Sequence, residues 1–205
     1  LKNITERYDG YGNSIRRVME QKNREPGIKG VVADIIHVQK DYEVAIETAL
    51  GGSIQNIVTD NEQTAKRMID FLKKNRFGRA TFLPLSNISG RGGLNQRDVL
   101  SEPGVVGTAN TLVNADKEYS ELVMYLLGRV LVVDNIDHAI AIGKKYRHSL
   151  RMVTIEGESL SPGGSMTGGA FKNNSNLLGR RREIEELERS VGILRKELEE
   201  TQKSI

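Results

Sequence analysis

The 205-residue chain has a formal charge of +3, no cysteine and no tryptophan, and 38% of its residues are hydrophobic. Disulfides and thiolate metal sites are excluded, and the absence of cysteine suits a reducing compartment. The small net charge argues only weakly for nucleic acid, and no apolar run approaches the roughly 20 residues of a membrane-spanning helix.

Residues 1–8 carry neither a starting methionine nor a leader pattern and read as part of a longer chain. Residues 14–20 put Ile15, Val18 and Met19 on one helical face. Pro26-Gly27 breaks the chain before a predicted strand over 31–36. Residues 41–50 form a predicted helix stopped by Gly51, and 54–59 a strand. Asp60 is expected to cap a helix with the stripe Ala65, Met68, Ile69 and Leu72. Residues 80–83 form a further strand closed by Pro84. Glycine-rich 86–103 reads as a flexible connection. A strand near Val105, a helix over 122–127, a strand over 130–133, a helix over 135–146 and a strand over 152–155 complete the series. This alternation predicts an α/β (mixed α+β) fold with some parallel pairing.

The two halves echo one another. Tyr42 precedes Gly51 as Tyr119 precedes Gly128, at one offset (119 − 42 = 128 − 51 = 77). Each glycine leads into an apolar run ending in Asp-Asn, at Asp60-Asn61 and Asp134-Asn135, and Gly30-Val31-Val32 is matched with Gly104-Val105-Val106. Two similar halves offer similar surfaces twice, which points to assembly rather than to one catalytic pocket. The expected organisation is an entry helix and coil stub over 1–20, one lobe over 21–85, a linker over 86–103, a second lobe over 104–178 and an exit helix over 179–205.

Catalytic and cofactor signals are missing. The glycine spacing at 164–169 imitates a phosphate loop, but Ala170 stands where lysine must be. His37, His138 and His148 have no metal-pair spacing, and Asp60 and Asp134 are better placed as helix caps than as acids. The chain is read as a non-enzyme with no cofactor and no metal. Glycines 163, 164, 168 and 169 then suit either a flexible turn or main-chain pairing at an exposed sheet edge. In the tail, Ile184, Leu187, Val191, Leu194 and Leu198 step by three and four as the seam of a coiled coil. Residues 180–205 carry seven basic and seven acidic groups, so the charge excess lies in the globular part.

In this order and spacing the segments Ala49-Leu50-Gly51, Gln55-Asn56-Ile57-Val58, 78–85, Leu126-Leu127-Gly128, Leu131-Val132-Val133-Asp134 and 162–169 resemble the hinge domain of SMC proteins. The resemblance is to the chromosome-organising ATPases that include bacterial condensin, and it covers about Gly30 to Gly169. It implies a two-lobed hinge that homodimerises, lobe against opposite lobe, around a small hole. Gly163, Gly164, Ser165, Met166, Thr167, Gly168 and Gly169 match the family's dimer-interface motif, and Gly104 and Gly107 would lie near the turns between lobes. Residues 1–8 would be the outgoing arm of an antiparallel coiled coil and the tail the returning one. Weak, sequence-independent DNA binding is expected from Lys172, Arg180, Arg181 and Arg182 near the coil junction, with Lys144 and Lys145 as further candidates. ATP would be bound by distant head domains, and kleisin and accessory subunits would bind elsewhere on the full-length protein. The expected setting is cytoplasmic and nucleoid-associated, with no membrane partner. Two alternatives stay open: a DNA-binding module first and a dimer second, or a small-ligand α/β enzyme using the glycine segment as an anion cradle.

Overall fold

The computed structural model describes residues 11–90, 92–171 and 177–205. Helix α1 (Asn13–Met19) leads into strand β1 (Ile28–Val31). The chain then turns at once into a short helix, α2 (Val32–Ile35), where a longer strand was expected. One helical turn buries Val32, Ala33 and Ile35 together and leaves Asp34 aimed toward the C-terminal helix. Continued alternation would have separated the three apolar side chains.

Strand β2 (His37–Val38), helix α3 (Glu43–Leu50), strand β3 (Ile57–Thr59), helix α4 (Glu62–Asn75) and strand β4 (Phe82–Pro84) complete the first half. The second half contains β5 (Val105–Thr108), β6 (Val113–Asn114), α5 (Ser120–Leu127), β7 (Val130–Val133), α6 (Ile136–Lys145) and β8 (Arg151–Thr154). The hairpin of β9 (Ser159–Leu160) and β10 (Met166–Thr167) follows, and α7 (Leu177–Lys203) closes the chain.

Each half builds the same sheet nucleus. β3 pairs antiparallel with β1 and parallel with β4, and β7 pairs antiparallel with β5 and parallel with β8. The repeat is real, but its glycine pairing shifts. Asp60 donates its backbone N–H to Gly27 O, and Asp134 does the same to Gly104 O, so Gly104 answers Gly27. Gly30 and Gly107 sit at matching irregularities of β1 and β5, with φ of 146° and 155°. Both pairs keep the 77-residue offset (104 − 27 = 107 − 30 = 77). From β3 onward it falls to 74 (135 − 61 = 74), because a 3-10 turn at Gly51–Gln55 has no counterpart of that length after Gly128.

The caps also move by one residue. Asn61 Oδ1 accepts from the N–H groups of Gln63 and Thr64 at 3.0 and 3.1 Å, and Asn135 Oδ1 accepts from His138 N–H at 2.9 Å. Asp60 instead accepts from the Thr64 hydroxyl at 2.6 Å, and Asp134 lies 2.7 Å from His138 Nδ1. The asparagine has the extended backbone that an N-cap needs.

β2 and β6 pair with each other, His37 with Asn114 and Val38 with Val113, stitching the halves together. One apolar core draws on both halves, from Ile15 and Ile46 to Leu122 and Val153. A second, smaller core lies beneath α6 and includes Leu131, Ile142, Met152 and Leu160. β7 is therefore buried on both faces, which explains its unbroken Val-Leu-Val-Val run. The 86–103 connection is more structured than expected: a 3-10 turn at Arg97–Ser101 sinks Val99 fully into this second core.

Candidate assembly interface

The two sheets differ at one end. The second half runs β5-β7-β8-β9-β10, whereas the first stops at β1-β3-β4. β8 therefore has a neighbour in β9, while β4, its counterpart, has none among the described residues. β10 is likewise an end strand, paired on one side only through Met166–Leu160 and Thr167–Ser159. Such edges present unpaired N–H and C=O groups in a row and are templates for another chain. Pro84 at the end of β4 is the sequence signal that marks this edge, because proline is confined to positions where no ladder donor is required.

All seven glycine-segment residues gather at the β10 edge, and residues 162–170 are exposed throughout. Their roles divide. Gly163, Gly164 and Ser165 form the turn between β9 and β10, Met166 and Thr167 are the strand, and Gly168 and Gly169 lead away from it. The turn is held by Ser161 N–H to Ser165 O (2.9 Å), Gly164 N–H to Ser161 O (3.0 Å) and Gly163 N–H to His148 O (2.8 Å). Gly163 has φ of 95°, yet a Cβ there would meet nothing within 4 Å. Its glycine is required by backbone conformation rather than by space within one chain.

A different set of contacts roots the C-terminal helix. Leu177 N–H donates to Glu47 Oε1 at 3.0 Å, so a side chain from α3 serves the first described turn of α7. Arg181 Nε lies 2.9 Å from Asp34 Oδ1, with side chains 8% and 13% exposed. Nε itself makes no aligned hydrogen bond at this distance, so its share of the contact is charge attraction. Arg182 pairs with the buried Glu43 and with Glu186 at 3.2 Å. Arg181 and Arg182, read from sequence as phosphate contacts, are thus engaged with carboxylates of the first half.

Burial pushes the Glu47 carboxyl up to about 6; the Leu177 N–H opposes that rise and the nearby Glu43 charge adds to it. A raised carboxyl takes up its proton in the folded chain before it does in the unfolded one. Its contribution to folding is favourable in acid and is lost as pH rises from about 4.5 through about 6. Glu47→Gln is expected to raise the melting temperature at pH 7.5 and to flatten its pH dependence between pH 4.5 and 6.5, since the amide oxygen still accepts from Leu177. Thermal melts of both proteins across that range check it; an unchanged profile would contradict it.

Beyond this root the helix is exposed. Ile184 is half-buried, but Leu187, Val191, Leu194 and Leu198 are 65, 45, 63 and 58% exposed, a stripe with no cover among the described residues. Of the other basic candidates, Lys144 is exposed on the last turn of α6, Lys145 pairs with Glu102, and Arg180 is half-buried beside α3. Lys172 and the expected outgoing stub at 1–8 lie outside the described residues. One basic grouping was not assembled from sequence. Arg17 stacks 4.7 Å from the Phe77 ring and the Ser14 hydroxyl donates to Arg79 O at 2.7 Å, which brings α1 with Arg17 against the 76–79 segment that carries Arg76 and Arg79. Among the described residues no group of three His, Asp or Glu could hold a metal, and no helix is long and apolar enough to cross a membrane.

Residues 25–143 match the family model for the SMC proteins flexible hinge domain. The chain belongs to the SMC hinge family. Chromosome partition protein Smc of Bacillus subtilis (strain 168) is 42% identical over 209 residues, covering 97% of this chain and 18% of the relative. The same protein of Lactiplantibacillus plantarum is 39% identical over 201 residues, covering 97% and 17%. The SMC hinge thus spans less than a fifth of these curated relatives. Among solved structures, the SMC hinge domain of Geobacillus stearothermophilus, crystallised as an asymmetric dimer, superposes with a TM-score of 0.84 at 38% identity, covering 95% of this chain and 79% of that one. A Pyrococcus furiosus Smc hinge with an extended coiled coil gives 0.65 at 31% identity, covering 93% and 71%. The mixed sheets, flanking helices and C-terminal helix agree with the fold expected from the resemblance.

Proposed function

We propose that this hinge joins two SMC arms as a homodimer, with β10 of each copy adding to β4 of the other. The observation that carries this reading is the unequal ending of two otherwise matching sheets. β4 lacks the neighbour that β8 has, and β10 is a short, glycine-flanked strand with an open side. Each chain carries one edge of each kind, so two copies can satisfy both contacts at once and close on each other. Two separated contacts between two-part molecules leave a gap between them, which agrees with the ring the family resemblance implies. The dimeric crystal form of the Geobacillus relative supports self-association.

In the longer protein, the exposed stripe of α7 would take the outgoing helix as its antiparallel partner, so that two arms leave one dimer. ATP-binding heads, kleisin and accessory subunits belong to parts of that protein beyond this chain. A role in chromosome partition is supported by the names of the curated relatives. A weak contact with the DNA backbone would then come from Lys144, Arg180 and Lys172. Arg181 and Arg182 hold the helix root, so reversing their charges would test the fold rather than DNA binding.

Both parts can be tested on one preparation. Light scattering behind gel filtration should give twice the 22.8 kDa chain mass across a dilution series, and a monomer at all concentrations would overturn the homodimer. Titration with fluorescent duplex DNA should show sequence-independent binding with a log–log salt slope of about −2 to −3. That slope should shrink in Lys144→Glu/Arg180→Glu, and an unchanged slope would remove those two residues from the DNA surface.

A further inference from the structure

An apolar row crosses the larger sheet on its α6 face. Leu131, Met152, Leu160 and Met166 are successive register partners on β7, β8, β9 and β10. Their exposure runs 0, 1, 7 and 51%, so the row starts in the core and ends half in water at the open edge. At that end a cavity of about 190 Å³ opens between α6 and the hairpin, lined mainly by Ile140, Met152, Leu160 and Met166, with Lys144 and His148 also on its wall. An apolar cavity of roughly 150 Å³ is enough to hold benzene.

The first half carries the matching row. Ile57 stands three residues before Asp60 as Leu131 stands three before Asp134, and its register partner on β4 is Phe82. Phe82 is half-buried, packed in part against its own core at the edge where the smaller sheet stops. The helical crossovers β3-α4-β4 and β7-α6-β8 share one hand, as parallel connections do. Joining the free edge of β4 to the free edge of β10 with the strands antiparallel therefore sets α4 of one copy and α6 of the other on the same face. In that arrangement the rows Ile57–Phe82 and Leu131–Met152–Leu160–Met166 meet end to end.

We propose that Phe82 of each copy closes the cavity beside Met166 of the other, as the apolar lock of the hinge contact. This rests on the homodimer reading above and names the side chains that secure it. Main-chain pairing at two short edges carries little selectivity. A ring seated in a matching cavity fixes which edge meets which, and in which register.

The chain has no cysteine, so Phe82→Cys/Met166→Cys can be cross-linked cleanly with a short bismaleimide. Covalent dimers on a denaturing gel are expected from the double variant and not from either single one, since each contact supplies one position from each chain. A double variant that is dimeric by light scattering but yields no covalent dimer overturns the lock and leaves the homodimer standing. A wild-type monomer overturns both. A second variant fills the cavity from within: a Cβ on Gly143 would make only ordinary contacts, 3.5 Å from Met152 Cε and His148 Nδ1. Gly143→Leu, in a helix that tolerates leucine better than glycine, should fold and weaken the dimer on the order of tenfold or more. An unchanged dissociation constant in that variant would also overturn the lock.

Discussion

A chain carrying Met166→Lys and Thr167→Lys is expected to sediment as a folded monomer. Both side chains are exposed in the single copy, Met166 by 51%, so two ammonium groups there remain solvated and leave the buried core intact. Pairing β10 with a partner's β4 would press them against Phe82-Leu83-Pro84, which offers no carboxylate. Charges withdrawn from water without a partner cost several kcal/mol, and lysine on an edge strand is a device by which proteins refuse sheet extension. At about 3 kcal/mol per contact and two contacts per dimer, the dissociation constant should rise by roughly 10⁴. Sedimentation velocity reads the mass, and an unchanged melting temperature separates lost assembly from lost fold. A dimer retained at micromolar concentration would place the contact elsewhere on the molecule.

The second large effect lies at the helix root. Arg181→Ala removes one member of an ion pair whose side chains are only 8% and 13% exposed, and leaves the Asp34 carboxylate largely out of water. Breaking a buried pair in this way costs about 3–5 kcal/mol, a large part of the 5–15 kcal/mol that stabilises a typical domain. Removing both charges should cost far less, because an apolar pair leaves no stranded charge. Urea unfolding of Arg181→Ala, Asp34→Leu and Arg181→Met/Asp34→Leu forms the cycle. A single substitution costing under about 1 kcal/mol would mean that water reaches this pair freely. The pair also joins the arm to the body. α7 meets the first half through Asp34, Glu43 and Glu47, so tension along the coil would be delivered to α2 and α3.

Much of this architecture is legible in the sequence because the chain states it twice. Tyr42 with Gly51 and Tyr119 with Gly128 mark two equivalent helices, and the Asp-Asn steps mark the ends of β3 and β7. The misaligned glycines have a specific cause. Gly30-Val-Val and Gly104-Val-Val share a local pattern, but the hydrogen bonds from Asp60 and Asp134 pair Gly104 with Gly27. Local similarity is blind to which carbonyl a distant N–H will find. The strand expected over 31–36 failed for a related reason. Val32, Ala33 and Ile35 are apolar enough for either geometry, and only the core around them selects a helical turn. At the candidate site, the glycine segment is visible as composition, whereas its division into turn, strand and exit depends on bonds to His148 and Ser165. The β4 edge becomes evident only when the two sheets are laid side by side and one is found two strands shorter. The helix root is the least legible part. Glu43 and Arg182 are 139 residues apart, and nothing in either neighbourhood separates a paired charge from a solvated one.

The pairing of β10 with a partner's β4 is tested most directly by amide hydrogen exchange, resolved residue by residue and compared between the wild-type chain and the Met166→Lys/Thr167→Lys variant. The account predicts that amides of Phe82, Leu83, Met166 and Thr167 on the outward sides of the two edges exchange slowly in the dimer. In the variant they should exchange at nearly free rates, while protection of β7 stays the same in both. A wild-type dimer in which both edges exchange freely would contradict the account, because the two copies would then be joined through some other surface.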